Sequence, residues 1–180
     1  RRAERPSRAA IGEVGRGALE ACGIGLSLKL GDIAVRCNFA TVDRNGIILD
    51  RRAGRISNED ALPIVEKLQT ISVPGVDITV RQVKEHRFAI LMRGEGLSPE
   101  IGDTDPQETG VPALPIEALD PKAEKTAEKF RQWAAEARQL IADQPKANSF
   151  TMRGFATNPG LPQFKQAFGL DACCIAVHPM

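Results

Sequence analysis

The sequence predicts an α/β protein in the broad sense, with α+β details: a mixed sheet of about five or six strands carrying two or three packed helices. Three observations predict it. Ile33, Val35, Cys37 and Phe39 alternate as a half-buried strand does, and Phe88-Ala89-Ile90-Leu91-Met92 is continuously apolar, as in a central strand. Two later segments combine helix caps with apolar residues three and four positions apart. With 180 residues, 42% hydrophobic and 26% charged, the chain can bury one sizeable core.

Residues 1–14, beginning Arg1-Arg2-Ala3-Glu4-Arg5, read as a basic lead-in without the apolar stretch of a signal peptide. Residues 15–180 form the domain proper, and the missing initiator Met suggests an excised or processed piece. Gly15-Arg16-Gly17 opens a short helix over Ala18–Ala21, which Gly23 and Gly25 stop; no Gly-Lys-Ser/Thr follows to make it a phosphate loop. After the alternating strand, Arg44-Asn45-Gly46 predicts a hairpin turn, because Asn and Gly both accept positive φ. Its return strand, Ile47-Ile48-Leu49, delivers Asp50-Arg51-Arg52 close to the level of Arg36.

Ser57-Asn58-Glu59-Asp60 caps the next helix; Pro63 is tolerated in a first turn, which places the start near Asp60. Val76–Val83 alternates as a strand, and the link Lys84-Glu85-His86-Arg87 joins it in a hairpin to Phe88–Met92. From Gly94 to Asp120 no periodicity is visible, and so long a structureless stretch is functional or disordered. Asp120-Pro121 starts the clearest helix, with its stripe on Ala123, Ala127, Phe130, Ala134, Ala137 and Ile141, Trp133 and Leu140 at the edge, and Pro145 as terminator. Ser149–Arg153 reads as a strand, 162–168 as a short helix and 172–177 as a buried strand.

A net charge of +1 argues against a dedicated nucleic-acid binder, and no apolar run approaches a membrane span. Cys22, Cys37, Cys173 and Cys174 have neither CxxC nor zinc spacing, which reads as buried, reduced thiols of a cytoplasmic protein. No metal-ligand spacing and no Ser-His-Asp arrangement is present, and His86 and His178 sit where a histidine is more often structural.

Arginine is the informative residue. Arg36, Arg51, Arg52 and Arg55 bracket the first hairpin, an arrangement that suits either a small multiply anionic ligand or a solvated, charge-balanced surface. Arg36, Arg93 and Arg153 each follow apolar residues at what reads as a strand end, where ligand sites of open sheets form. The loop Arg93-Gly94-Glu95-Gly96 leads to Asp103-Thr104-Asp105-Pro106, whose aspartates could accept hydrogen bonds from ligand hydroxyls or simply close Asx turns. The residues offer an anion-binding surface without visible machinery for chemistry.

Several segments, taken in order, resemble the archaeal-type, cofactor-independent (2,3-bisphosphoglycerate-independent) phosphoglycerate mutases of the alkaline phosphatase superfamily. They are Gly15-Arg16-Gly17-Ala18-Leu19-Glu20-Ala21, then Gly31–Val42, Asp50-Arg51-Arg52-Ala53-Gly54-Arg55-Ile56, Arg93-Gly94-Glu95-Gly96-Leu97-Ser98, Asp103-Thr104-Asp105-Pro106 and Ala172–Ala176. The resemblance implies an enzyme that interconverts 3-phosphoglycerate and 2-phosphoglycerate through a phosphoserine, with two divalent metal ions, typically manganese, in a phosphatase-like core. This chain would be the substrate-closing domain inserted in that core. The serine and the metal ligands would lie outside it, leaving the piece inactive alone and binding no cofactor itself. Arg36, Asn38, Arg51, Arg55, Arg93, Asp105 and Arg153 become the expected substrate contacts, arginines for phosphate and carboxylate, Asn38 and Asp105 for hydroxyls. Alternation along a strand would turn Arg52 away from Arg51. A non-catalytic phospho-acid binding module, a related superfamily phosphatase and an RNA-contacting domain are the competing readings.

Overall fold

The computed structural model describes residues 15–158 together with Gly160 and Gly169. The element order is α1 (Arg16–Gly23), β1 (Ile33–Val42), β2 (Ile48–Asp50), a 3-10 turn (Ala53–Arg55), α2 (Asn58–Gln69), β3 (Asp77–Lys84), β4 (Arg87–Arg93), a 3-10 turn (Pro121–Ala123) running into α3 (Glu124–Ile141), and β5 (Ser149–Ala156). The lead-in 1–14, the helix expected at 162–168, the strand expected at 172–177 and Cys173-Cys174 lie outside the described residues.

The five strands form one sheet in which β1 pairs with β2, β4 and β5, and β3 extends it beyond β4. The α/β class and the strand number agree with the sequence reading. Every pairing among the described residues is antiparallel, however, so the expected mixture of directions is absent. Two of these pairings, β1–β2 and β3–β4, are hairpins, which permit only antiparallel pairing.

Alternation along β1 divides the molecule into two faces. Ile33, Val35, Cys37 and Phe39 join Phe88, Ile90 and Met92 of β4 and Phe150 and Met152 of β5 in the main core, closed by Ile64, Val65 and Leu68 of α2 and the stripe of α3. Aromatic rings run through this layer, with Phe39 and Phe88 centroids 4.5 Å apart and Trp133 and Phe150 5.4 Å apart. Trp133 is fully buried rather than at a helix edge.

On the opposite face Ala34, Leu91 and Ala156 pack under Ala18 and Ala21 of α1 in a small second cluster. This seat depends on close approach. A Cβ on Gly17 would overlap the carbonyl oxygens of Ala34 and Gly154, so only glycine lets α1 lie this near the strands. Beyond α1 this face is uncovered, and its next residues are polar.

Local chemistry explains the boundaries, including one that differs from expectation. The Ser57 hydroxyl accepts from the Asp60 N–H at 3.1 Å, which fixes α2 two residues earlier than Asp60 and leaves Pro63 in the second turn. The first hairpin turn is closed by the Gly46 N–H to the Asp43 carbonyl at 3.0 Å, with Gly46 alone of the Asn-Gly pair at positive φ. Asp43 also accepts from the Asn45 and Ile47 N–H groups, so its side chain braces the expected Arg44-Asn45-Gly46 turn. Cys37 is buried, as expected, but Cys22 is exposed near the end of α1.

Residues 94–120 contain no helix or strand, yet this segment is tied down by hydrogen bonds. Thr104 exchanges hydrogen bonds with Met152 of β5, and the Val111 carbonyl accepts from the Ile48 N–H of β2. The loop therefore bridges two strands of the sheet and carries Asp103 and Asp105 to fixed positions.

Candidate anion-binding site

Arg36 and Asn38 project from β1 on the uncovered face, as i and i+2 residues of a strand must. The register then dictates their neighbours: Arg36 stands opposite Arg153 of β5, and Asn38 lies between Arg87 of β4 and Thr151 of β5. Arg36 and Arg153 are thus interior strand residues, not strand-end residues, and they meet because adjacent antiparallel strands align them. With Arg51, Arg52, Arg55 and His86 they line a cleft of about 350 Å³.

The cleft is framed by carboxylates that occupy some cations and spare others. Asp105 is buried and accepts from Arg51 Nε at 3.0 Å and Nη2 at 2.8 Å, a bidentate pair, and from Arg153 Nη1 at 3.3 Å. Burial alone would raise the Asp105 carboxyl. The Arg51 hydrogen bonds, the Gln107 amide and the charges of Arg51 and Arg153 outweigh burial and hold it below the usual carboxylate range. The same hydrogen bond raises the Arg51 guanidinium. Asp105 therefore positions arginines, and each of its oxygens already accepts two hydrogen bonds.

Glu20 of α1 approaches Arg36 Nε and Arg87 Nη1, each at 3.5 Å, long contacts that neutralise charge without saturating the donors. Burial lowers the Arg36 guanidinium, Glu20 opposes that, and the nearby charges of Arg87, Arg153 and Arg16 reinforce it. Among the described residues six buried side-chain polar atoms lack a hydrogen-bond partner, and five of them gather here: Arg36 Nε, Asn38 Oδ1, His86 Nδ1, Thr151 Oγ1 and Arg153 Nε. Buried polar groups are almost always paired, so this concentration marks a surface prepared for a ligand or another part of the protein.

Arg51 and Arg52 both reach the cleft, against the expectation that Arg52 turns away. β2 ends at Asp50, and strand alternation ends with it. The Asp50 carboxylate accepts from the Arg52 and Gly54 N–H groups, folding the chain into a turn. Ala53, Gly54 and Arg55 follow in the left-handed region at φ 48, 62 and 51°, so Arg55 is presented at a cost in backbone strain. Strain of this kind persists where the surroundings impose it, and here it sits at the cleft rim.

Arg93 is the expected contact that the fold does not bring to the cleft. It lies at the far end of β4 from Arg87 and forms a bidentate pair with Asp32, at 2.8 and 2.6 Å. Burial would raise the Asp32 carboxyl, but the Arg93 hydrogen bonds and the Lys29 amide hold it low. Arg87 and His86 were missed by the sequence reading. The signal was present in the hairpin Lys84–Arg87, whose register against β1 sets Arg87 opposite Asn38. Among the described residues no group of three or more His, Cys, Asp or Glu could hold a metal ion. No helix among them is long and apolar enough to cross a membrane.

An antiparallel sheet that presents several guanidinium groups around a buried, arginine-bound carboxylate is chemically suited to small, multiply charged anions. The chain belongs to the 2,3-bisphosphoglycerate-independent phosphoglycerate mutase family, whose model matches residues 11–147. It is 45% identical over 177 residues to the probable 2,3-bisphosphoglycerate-independent phosphoglycerate mutase of Aquifex aeolicus, covering 93% of this chain and 44% of that protein. The protein of the same description from Deinococcus radiodurans is 45% identical over 172 residues, covering 93% and 42%. The solved cofactor-independent phosphoglycerate mutase of Thermoplasma acidophilum superposes with a TM-score of 0.74 at 34% identity, over 85% of this chain and 44% of that one. The chain spans somewhat less than half the length of the relatives it matches.

Proposed function

We propose that this chain is the substrate-closing domain of a phosphoglycerate mutase interconverting 3-phosphoglycerate and 2-phosphoglycerate, and that its cleft holds the phosphorylated acid. The observation that carries the reading is the clustering of unpartnered polar atoms among arginines on one face of a rigid sheet. On this reading residues 15–180 form the inserted domain, and residues 1–14 flank it. The complementary part is an alkaline-phosphatase-like core that supplies the serine which takes the phosphoryl group. Two divalent metal ions, manganese by family resemblance, belong to that core, where they would activate the serine and bind phosphate. The residues described here do not fit such a metal site.

What these residues do is bind and orient. A phosphoglycerate presents a phosphate and a carboxylate on a three-carbon frame with one free hydroxyl. Arg36, Arg153 and Arg87 offer planar donors to either anion, and Asn38 can accept from the hydroxyl. Moving a phosphoryl group between neighbouring hydroxyls requires the glycerate to stay while it reorients. Several similar donors around one cleft permit that, because a carboxylate released by one guanidinium meets another. Glycolysis and gluconeogenesis in the cytoplasm are the setting this activity implies.

The test is mutase activity of the longer protein that contains this chain. Arg36→Gln and Arg153→Gln should each lower kcat/KM about a hundredfold, the scale of a lost charged hydrogen bond of about 2–3 kcal/mol. Arg93→Gln should change it less than about threefold, because Arg93 is paired outside the cleft. Phosphate release without isomerisation would instead identify a related phosphatase, and wild-type activity in both cleft variants would sink the site assignment.

A further inference from the structure

His86 occupies the tip of the β3–β4 hairpin, where Lys84 pairs with Arg87 across a two-residue turn. Hairpin tips are normally solvated, yet His86 is only 8% exposed. The turn is held against the body of the protein: the His86 carbonyl accepts from the Phe39 N–H at 2.7 Å, and the Glu85 N–H donates to Asn58 Oδ1 at 2.7 Å. The backbone of this residue has a structural task, but the imidazole has none. Among the described residues neither ring nitrogen has a hydrogen-bond partner, and Nδ1 is buried. The ring nevertheless lines the arginine cleft.

We infer that His86 is a ligand-contacting residue of this cleft, which takes up a proton as a phosphorylated acid binds and donates it in a hydrogen bond to the bound anion. The inference rests on the proposed reading of the cleft and adds a residue and a proton to it. The charges facing the ring give the physical basis. Arg87, Arg52 and Arg55 surround it, Lys84 and Arg36 line the same cleft, and the carboxylates are Glu85, at 3.8 Å from Nδ1, and Glu20 beyond Arg87. In the free protein burial and the arginines disfavour the imidazolium, and Glu85 only partly compensates. These surroundings favour the neutral ring. A bound anion with two or three negative charges reverses the local field, and solvent supplies the proton. A neutral imidazole among arginines becomes one more cation only when a ligand is there to need it, which keeps a crowded cationic site from repelling itself when empty.

The chain contains two histidines, so the imidazole ring protons of His86 can be followed directly by NMR and assigned with His86→Asn. In the 180-residue chain the His86 pKa should rise by about one unit or more on adding 3-phosphoglycerate or sulfate. Sulfate keeps its double charge across this range and removes titration of the ligand as an explanation. Because the bound-state pKa is the higher one, sulfate binding should tighten about tenfold from above both values to below both. His86→Asn should abolish that pH dependence while retaining the hairpin. A His86 pKa that stays fixed while the guanidinium resonances of Arg36 or Arg153 shift would overturn this inference and leave the cleft reading standing. No shift at any of these residues would overturn both.

Discussion

Asp105 shows how much one side chain decides in this protein. It sits buried on a loop without regular structure and fixes Arg51 and Arg153, two cations contributed by different strands. Asp105→Asn should cost about 2 kcal/mol in urea unfolding, less than a fully buried pair because Arg51 is partly solvated. Asp105 and Asp32 both have folded pKa values below their unfolded ones. Their stabilisation is therefore complete above the unfolded value of about 3.9 and is lost as pH falls through the lowered folded values. Stability measured between neutral and strongly acid pH should fall in that window, and Asp32→Asn with Asp105→Asn should flatten the fall. Arg55, at positive φ, is the converse case. Arg55→Gly should raise stability by about 1 kcal/mol by relieving the left-handed conformation while weakening anion binding. Equal or lower stability in the variant would refute the claim that this residue carries strain.

At the scale of elements, α1 is a short helix whose position is set by glycine contacts rather than by its length. Gly17→Ala forces its first turn off β1 and β5, with an expected loss of about 2 kcal/mol in thermal or urea unfolding. Because α1 carries Glu20, the same change should alter anion affinity, although residue 17 is no part of the cleft. Gly23→Ala, at a site with open space around it, is the control and should do neither. The start of α2 depends on a cap, and Ser57→Ala should cost about 1 kcal/mol. Helices and strands of this chain were legible because each carries its own local signal: alternation in β1, a continuous apolar run in β4, and Asp120-Pro121 before α3. The errors fell where a side chain reset the backbone. Ser57 moved a helix start, and Asp50 ended β2 before alternation could sort Arg51 from Arg52.

For the whole molecule, the near-neutral net charge conceals a strong local asymmetry. Binding of a phosphorylated acid should weaken steadily with added salt, whereas oligonucleotides should bind poorly at physiological ionic strength, since the net charge is only +1. Tight oligonucleotide binding would count against the small-anion reading. The amino-acid sequence by itself determined the α/β class, most of the elements, the supply of arginines and the family, because periodicity, caps and motif order are local or linear properties. Tertiary structure decided which arginines work together. Arg36 and Arg153, 117 positions apart, meet through the register of β1 and β5, while Arg93, equally prominent in sequence, is drawn off by Asp32 at the other end of its strand. It also made Asp105 a brace for two cations and His86 a buried ring at the arginine cleft. Pairing of charges depends on distances across strands, and register, not spacing along the chain, sets those distances.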